Sequence, residues 1–376
     1  MSRPRLALVV ESGTDVRLIE GLAERFDLSV AARRIPGGVE ISQAPRTPVP
    51  VDVLPPGRAR FAAAVPGWLR RRAARADAVL VQGYGPAALA ANLAGRRSGI
   101  PTFMLVCSPV EAYYACRRRP GSGKRYRAAG LLGLRTLARL NARIGTGYIV
   151  LSEHLATVVR GHGTSAPIHV VPVYGVDTRA FSPGSEDRRA VRARRGIPPA
   201  GSVAFFSSRV APEKDAESVL LALRLLVARG RDMRVLHRSG GFRRFQALAA
   251  EIGVANHVIA SDAAHPHREL PDDYRACDVC VQASHAEGLG FSPLEAMACG
   301  VPVVATAVGG LAETVRDGDT GWTYPDGDAD ALAARIEDVL DNRAEGARRA
   351  ARGREMVVER FERRVVFGRL EEILEG

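Results

Sequence analysis

Short apolar runs alternate with helical patterns along the chain, and this alternation constrains the fold more than any other feature. The first half contains "RLALVV", "LSVAAR", "ADAVLVQG", "IPTFMLVC" and "GYIVLS". The second half contains "SVAFFSSRV", "MRVLHRSGG", "HVIASD", "ACDVCVQAS" and "PVVATAVGG". Runs in which apolar residues do not alternate with polar ones are typical of strands buried on both faces of a parallel sheet. The sequence therefore predicts two successive series of βαβ units, each an α/β domain.

A segment rich in Pro, Gly, Ser and charge, "FSPGSEDRRAVRARRGIPPAGS", separates the two series and places a linker near residues 182–200. The 376 residues also exceed what one core usually organises. We predict a first Rossmann-like domain over 1–185, a second over 186–355, and a last helix over 356–376 that packs back on the first. Ligands of such sheets bind at the carboxyl ends of the strands, which we expect to face a central cleft.

Positive charge exceeds negative charge by 12, which favours anionic partners such as nucleic acid, anionic lipid or sugar nucleotides. The sequence has no helix-turn-helix, zinc-finger or aromatic RNA-binding motif, so we expect no nucleic-acid partner. No apolar stretch reaches the roughly 18 to 20 residues of a membrane helix, and we expect a cytoplasmic protein. An odd number of cysteines fits buried thiols better than disulfides. They are Cys107, Cys116, Cys277, Cys280 and Cys299.

The stretch "EGLGFSPLE" is a tight turn between an apolar run and a helical pattern. Ser292 as N-cap, Pro293 at the first helical position and Glu295 closing a capping box predict the start of the helix. Gly288 and Gly290 bring bare backbone close to the space above the strand end, and the free N–H groups of the helix face the same space. Such a turn suits a phosphate.

Glu287 precedes the turn and takes no part in the cap. A carboxylate beside a phosphate is repelled unless it binds hydroxyl groups, and a sugar joined to a diphosphate meets both conditions. A diphosphate also needs cations. Arg209 and Lys214 follow "SVAFFSS" and are expected at the same edge of the sheet. The alternative, two solvated charges at a helix entrance, stays open from these residues alone.

Together these stretches resemble a known family. "SSRVAPEKDAESVLLAL", followed by "EGLGFSPLEAMACGVPVVATAVGGLAETVRDGDTGW", is similar to the carboxyl-terminal domain of the retaining glycosyltransferases of family 4, whose signature is the spacing of Glu287 and Glu295. "VVPVYGVDTRAFSP" resembles the segment leading to the interdomain linker of that family. The resemblance implies the GT-B fold and transfer of a hexose from a UDP- or GDP-sugar, with retention at the anomeric carbon. It implies neither a metal nor another cofactor.

The resemblance also implies roles for individual residues. Arg209 and Lys214 would neutralise the diphosphate. Glu287 would contact the donor sugar, Glu295 would bind the ribose, and we take Glu287, Arg209 and Lys214 as candidate catalytic residues. Backbone amides for the donor would come from Gly288, Leu289, Gly290, Phe291 and Ser292.

The first half departs from the family pattern. Family members carry a glycine-rich loop after the first strand and a histidine after the strand equivalent to "IPTFMLVC", where this chain has "ESGTD" and "CSPVEAYY". Gly13 in the first loop remains a candidate contact. Ser108 and Glu111 are candidates to take the place of the histidine. His154 is another, although a histidine just after a strand is more often a surface or capping residue.

Two patterns that resemble metal sites have simpler interpretations. Cys277 and Cys280 lie inside a predicted strand without a second pair at zinc spacing, which favours core packing. "DGDADALAARIE" has Ala331 where a calcium loop needs glycine, which favours an acidic helix start. We expect no metal site.

The arginine-rich stretches "WLRRRAARA" and "RRRPGSGKRYR" are typical of solvated faces, but they leave a second interpretation open. Together with Trp68, Tyr113, Tyr114 and Tyr126 they offer a basic, aromatic surface for an acidic or lipid-linked acceptor at an anionic membrane. The nucleotide base, the hexose and the acceptor have no readable signal.

Rival functions are separable by motif or by assay. A dehydrogenase is excluded, because the first strand is not followed by G-x-G-x-x-G. An epimerase or hydrolase of sugar nucleotides, and a sugar-nucleotide-binding protein without catalysis, remain alternatives on the same scaffold.

Overall fold

The structure is a computed structural model that describes residues 3–39, 41, 48–72, 74–117, 128–184, 187–261 and 269–375. These residues form two compact units. Of the described residues, those within 3–111, 128–175 and 363–375 belong to the first unit, and those within 112–117 and 176–362 belong to the second. The chain thus enters the second unit after residue 111, is back in the first by residue 128, and changes unit again after 175 and 362. The sequence predicts only two boundaries, at 185 and 355.

The strands are β1 Arg5–Val10, β2 Asp27–Ile35, β3 Gly38–Val39, β4 Val51–Leu54, β5 Ala78–Gln82, β6 Thr102–Val106, β7 Gly147–Val150, β8 Ile168–Val170, β9 Ser202–Phe205, β10 Met233–Arg238, β11 Val258–Ser261, β12 Val279–Gln282, β13 Val303–Thr306 and β14 Trp322–Tyr324. The helices are α1 Val16–Ala23, α2 Arg58–Arg72, α3 Pro86–Ser98, α4 Val110–Cys116, α5 Ala128–Ile144, α6 Glu153–Arg160, α7 Arg188–Arg194, α8 Ala216–Ala228, α9 Phe242–Ile252, α10 Leu270–Ala276, α11 Phe291–Ala298, α12 Leu311–Thr314, α13 Ala329–Asp341, α14 Arg343–Arg360 and α15 Arg363–Glu375.

A parallel sheet organises the first unit. Its strand order is β4-β2-β1-β5-β6-β7-β8, and the two-residue β3 pairs antiparallel with β2. Every β1 residue from Leu6 to Val10 is buried, as expected for a strand without a polar alternate. The predicted first series of βαβ units is confirmed.

Helix α15 completes the first unit. Its buried side chains are Val366, Phe367, Leu370 and Leu374. The ring of Phe367 lies against Gly21 of α1, where an added Cβ would come within 2.1 Å of the ring. Glycine is therefore required for this close contact. Arg25 and Glu371 add an ion pair at 2.6 Å.

The second unit has the strand order β11-β10-β9-β12-β13-β14, and all its strands are parallel. This is the doubly wound order, and its switch point lies between β9 and β12, which pair through Phe205 and Cys280. The loops after β9 and β12 therefore leave the sheet side by side. The first carries Arg209 and Lys214, and the second carries Glu287.

The segment predicted as a linker contains ordered structure. Within its described part, α7 buries Val191, and Ile197 follows with 3% of its surface exposed. Arg192 donates to Asp278 at 2.9 Å, and Arg188 donates to the same carboxylate at 2.6 Å. Buried charge of this kind persists because it is paired and hydrogen-bonded.

Two interpretations of metal-like patterns are confirmed. Cys277 and Cys280 are at most 1% exposed and pack in the core of the second unit. Asp328 accepts a hydrogen bond from the Ala331 amide at 2.9 Å and caps α13. Of the five thiols, Cys107 is half-buried and the others are buried.

Candidate functional site

Helix α11, which follows the turn after β12, begins earlier than the sequence predicts. Helix α11 starts at Phe291, with Gly290 as N-cap at φ 89° and without a side-chain capping bond. Because glycine adopts this left-handed conformation freely, the chain enters the helix two residues before the predicted cap. The assignment of Ser292 as N-cap, with Glu295 in a capping box, is therefore wrong. Glu295 is available for another partner.

A second loop braces this turn. The Gly310 amide donates to the Glu287 carbonyl at 3.1 Å. A Cβ at position 310 would lie 2.1 Å from the carbonyl oxygen of Gly288. The backbone approach fixes the position of Glu287 and makes Gly310 a residue of the site that sequence reasoning missed, although the paired glycines of "AVGG" were a usable signal.

Glu287 lies at the centre of the site and is 8% exposed. Its Oε2 accepts a hydrogen bond from Nζ of Lys214. Its Oε1 accepts from the Gly288 amide and from the Tyr113 hydroxyl, both at 3.2 Å. Lys214 and Glu287, which are 73 positions apart, thus meet at the switch point of the sheet.

Arg209 and Lys214 have different partners. Arg209 donates from Nη2 to Oε1 of Glu213 at 3.3 Å and keeps 59% of its side chain exposed. Glu213 is fully buried and also accepts two hydrogen bonds from Arg117, from Nη2 at 2.6 Å and from Nε at 3.1 Å. Burial raises the pKa of Glu213, but the bonds from Arg117 and the charge of Arg209 lower it below its ordinary value. Arg117 and Glu213 were missed by sequence reasoning.

Glu295 is buried beside an aromatic pair. Its Oε2 accepts a hydrogen bond from the Tyr274 hydroxyl at 2.9 Å, and the Tyr274 ring packs edge-on to Phe205 with centroids 4.9 Å apart. Burial, with the negative charge of Glu295, raises the pKa of Tyr274 well above its ordinary value. Tyr274 therefore stays protonated and holds the carboxylate in place.

The candidates in the first half lie in the first unit. Glu111 at the start of α4 accepts hydrogen bonds from Arg135 at 2.7 Å and from His162 at 3.1 Å. Burial raises the pKa of Glu111, but these two bonds bring it below its ordinary value. The structure therefore joins Glu111 to His162, which the sequence did not single out.

Three further candidates follow strand ends of the same sheet. The carbonyl of Gly13, after β1, accepts from Gln82 at 3.2 Å. Ser108 is half-buried after β6, and His154 is half-buried in α6 after β7. Their assignment to the donor stays a prediction.

The predicted basic, aromatic surface is only partly described. Trp68 is 2% exposed and donates to Asp52 at 2.8 Å, so its place on a membrane-facing surface is wrong: α2 turns its apolar side inward. Tyr113 contacts Glu287, and Tyr114 is half-buried. Tyr126 lies outside the described residues, with the rest of 118–127. Among the helices that the structure describes, none is long and apolar enough to span a membrane.

Asp215, His285 and Asp326 bring three potential metal-ligand atoms within 4.8 Å of one another. Nδ1 of His285 lies 2.5 Å from Asp326, and its Nε2 lies 3.9 Å from Asp215. Both ring nitrogens thus face carboxylates, so an imidazole held between two acids accounts for the cluster.

Solved glycosyltransferases share this fold. The chain aligns over 99% of its length with 99% of HepE from Anabaena, solved with UDP and glucose, at a TM-score of 0.79 and 18% identity. Sucrose-phosphate synthase from Thermosynechococcus elongatus aligns over 99% of this chain and 98% of its own, with a TM-score of 0.76 and 19% identity. The fold is that of the GT-B glycosyltransferases, as predicted.

Family models match both halves of the chain. The model of glycosyl transferases group 1 matches residues 187–356, and that of the glycosyl transferase 4-like domain matches 15–174. D-inositol 3-phosphate glycosyltransferase of Acidothermus cellulolyticus is 32% identical over 343 residues, which cover 85% of this chain and 72% of that relative. The chain belongs to glycosyltransferase family 4 and is a glycosyltransferase.

A second relative is matched over a shorter stretch. The GDP-mannose-dependent alpha-(1-6)-phosphatidylinositol monomannoside mannosyltransferase of Mycolicibacterium smegmatis is 34% identical over 223 residues. The match covers 57% of this chain and 58% of that relative.

Proposed function

We propose that this glycosyltransferase moves a hexose from a UDP- or GDP-sugar to an acceptor hydroxyl, with retention of configuration at the anomeric carbon. The observation that carries the proposal is the meeting of Lys214 and Glu287 at the switch point of the second sheet. Ligands of doubly wound sheets bind at this point. Arg209, on the same loop as Lys214, supplies a second cation for the diphosphate.

The chemistry exchanges one bond at the anomeric carbon for another. The bond to the diphosphate oxygen breaks, the bond to the acceptor oxygen forms on the same face, and the acceptor proton passes to the departing diphosphate. Glu287 has both carboxylate oxygens engaged by donors, which favours a role as acceptor of sugar hydroxyl groups over a role as nucleophile. Attack on the same face without a covalent intermediate fits this assignment.

The leaving diphosphate needs positive charge as the glycosidic bond breaks. Lys214, Arg209 and the amino-terminal end of α11 supply it at the site, so we propose that transfer proceeds without a divalent metal or cofactor. Transfer in the presence of EDTA, at the rate seen with magnesium, is the expected result.

We further propose that the acceptor is an anionic polyol. Two relatives are named for inositol 3-phosphate and a phosphatidylinositol mannoside, and both acceptors combine ring hydroxyls with phosphate. The net charge of +12 favours acceptors of this sign.

The test is a transfer assay with matched variants. UDP-glucose and GDP-mannose are offered with D-inositol 3-phosphate and with phosphatidylinositol, and NMR reads the anomeric configuration of the product. Glu287→Gln should lower turnover at least about a hundredfold, the range seen when a group aimed at the reacting centre is removed. Glu337→Gln, which removes an ion-paired carboxylate of α13 away from the site, should leave turnover unchanged.

Three outcomes would refute transfer, and a fourth would refute retention. Release of free sugar with the nucleotide, whatever acceptor is present, would make the protein a hydrolase, and an altered sugar nucleotide would make it an epimerase. Binding of donor without turnover under any acceptor would make it a binding protein. An inverted product would leave transfer intact but refute retention.

A peripheral membrane contact is proposed on α5. Leu132 and Leu140 are 63% and 40% exposed, and Arg139 and Arg143 lie exposed on the same helical face. An interfacial helix combines apolar area with basic charge in this way. Sedimentation with vesicles containing phosphatidylserine should exceed that with phosphatidylcholine alone, and Leu132→Gln/Leu140→Gln should abolish the difference. Equal sedimentation with both vesicles refutes this contact.

A further inference from the structure

Residues 112–117 lie in the first half of the sequence but belong to the second unit. Their contacts there are specific: Tyr113 donates to Glu287, and Arg117 donates to Glu213. Glu213 and Glu287 lie on the two loops that leave β9 and β12 at the switch point. The segment Tyr113–Arg117 therefore reaches both loops of the candidate donor site.

Glu213 holds two arginines on one carboxylate. Its Oε1 accepts from Nη2 of Arg117 and Nη2 of Arg209, and its Oε2 accepts from Nε of Arg117. One buried negative charge thus faces two guanidinium groups, and one positive charge remains in excess. Lys214 and Glu287 balance each other next to them.

The contact with Glu213 engages only part of the Arg117 guanidinium. The bidentate bond engages Nε and Nη2, and its Nη1 donates to no residue in the described part of the chain. Its side chain is 41% exposed, and we take the Nη1 edge as the part that a ligand would contact. A guanidinium fixed along one edge presents the N–H groups of the other in a set direction, which suits phosphate oxygens.

Tyr113 contacts both Glu287 and Arg117. Its hydroxyl donates to Oε1 of Glu287 at 3.2 Å, and its ring lies 5.6 Å from the guanidinium carbon of Arg117. Burial and the neighbouring carboxylates of Glu287 and Glu213 raise the pKa of Tyr113, so it remains a hydrogen-bond donor across the physiological range. Loss of this donor would leave Oε1 of Glu287 with the bond from the Gly288 amide and would hold the carboxylate less firmly.

We infer that the segment Tyr113–Arg117 completes the donor site: Arg117, held by Glu213, is a third cation for the diphosphate, and Tyr113 is a positioning residue for Glu287. This inference rests on the proposed nucleoside-diphosphate-sugar donor. It assigns part of donor recognition to a segment of the first half of the sequence.

The test for Arg117 is titration calorimetry with UDP and GDP, and with uridine and guanosine as ligands without phosphate. Arg117→Ala should weaken binding of the preferred diphosphate about tenfold, the loss expected from one charge-assisted hydrogen bond, and leave nucleoside binding unchanged. Arg117→Lys, which keeps a point charge, should recover part of that loss. Arg335→Ala, which removes an ion-paired arginine of the same unit with 40% exposure, should bind like wild type.

The test for Tyr113 separates positioning from folding. Tyr113→Phe keeps the ring beside Arg117 and removes only the hydroxyl. We expect kcat per folded molecule to fall roughly tenfold, the size of one lost charge-assisted hydrogen bond, with the KM for the donor near wild type. A merely structural tyrosine would lower the melting temperature and leave kcat per folded molecule unchanged.

The outcomes distinguish this inference from the proposed function. If wild type binds UDP or GDP and Arg117→Ala binds equally well, the third cation is refuted and the proposed function stands. If Tyr113→Phe turns over like wild type, the positioning role is refuted. If wild type binds neither diphosphate, the proposed function fails first.

Discussion

Lys214 donates a hydrogen bond to Glu287, so that the cation expected at the diphosphate and the carboxylate expected at the sugar are paired with each other. Both side chains are largely buried, with 13% and 10% exposed. A buried ion pair stabilises little relative to apolar residues, but removal of one partner leaves an uncompensated charge. The pair therefore couples the stability of the second unit to its binding chemistry.

A double-mutant cycle measures this coupling. Lys214→Ala leaves the Glu287 carboxylate without its cation and should lower the melting temperature by about 5 °C or more, given the cost of an unpaired buried charge. Adding Glu287→Gln should restore most of the loss, because the neutral amide needs no cation. Additive shifts from the two substitutions would mean that the pair is not coupled.

Removal of the Tyr274 hydroxyl tests its hydrogen bond to Glu295, and removal of the Tyr324 hydroxyl is the matched control. Tyr274→Phe removes the bond to the buried Glu295 carboxylate and should cost about 1–3 kcal/mol, seen as a melting temperature several degrees lower. The Tyr324 hydroxyl is buried and has no hydrogen-bond partner among the described residues, so Tyr324→Phe should be neutral or slightly stabilising. Equal shifts by calorimetry would contradict the role of Tyr274.

Gly310→Ala tests the contact between the two loops. The added Cβ would meet the Gly288 carbonyl oxygen at 2.1 Å, and the turn carrying Glu287 would have to shift. We expect weaker binding of UDP or GDP and a lower melting temperature. Gly368 in α15 has open space at the Cβ position, so Gly368→Ala should stabilise by about 0.5–1 kcal/mol through helix propensity. Diphosphate affinity unchanged in Gly310→Ala would show that the turn tolerates the shift.

His237 should make stability depend on pH. Burial lowers the pKa of this imidazole below 6.5, against the opposing effect of its Nδ1–H bond to the Phe206 carbonyl. The unfolded chain therefore binds a proton that the folded chain does not, and stability is lost as the pH falls below about 6.5. The melting temperature of wild type should fall between pH 7 and pH 5 more steeply than that of His237→Leu. Parallel curves would remove His237 as the cause.

The fold and the centre of the site were within reach of the sequence because parallel sheets follow simple rules. Apolar runs without alternation predicted both sheets, and the carboxyl ends of β9 and β12 meet because these strands are neighbours. Lys214 and Glu287 could thus be paired from their positions after two strands.

Other features depend on contacts between distant residues, which a local pattern does not encode. Tyr113 and Arg117 precede Glu213 and Glu287 by long stretches of chain, and "AYYACR" resembles any amphipathic helix end. The N-cap of α11 is Gly290 and not Ser292 for a local reason. Both residues can begin a helix, and the left-handed Gly290 comes first in the chain. The prediction for Trp68 failed because the neighbouring arginines suggest an exposed helix, whereas Trp68 lies on the buried face of α2.

The packing of α15 against α1 has a consequence for synthesis. The ribosome synthesises every described strand of the first unit before any strand of the second. However, α15, which covers Gly21, is synthesised only after the residues of the second unit. Helix α1 must therefore stay partly uncovered on its apolar side until α15 has been synthesised. The second unit can therefore complete its fold before the first, although its synthesis begins later.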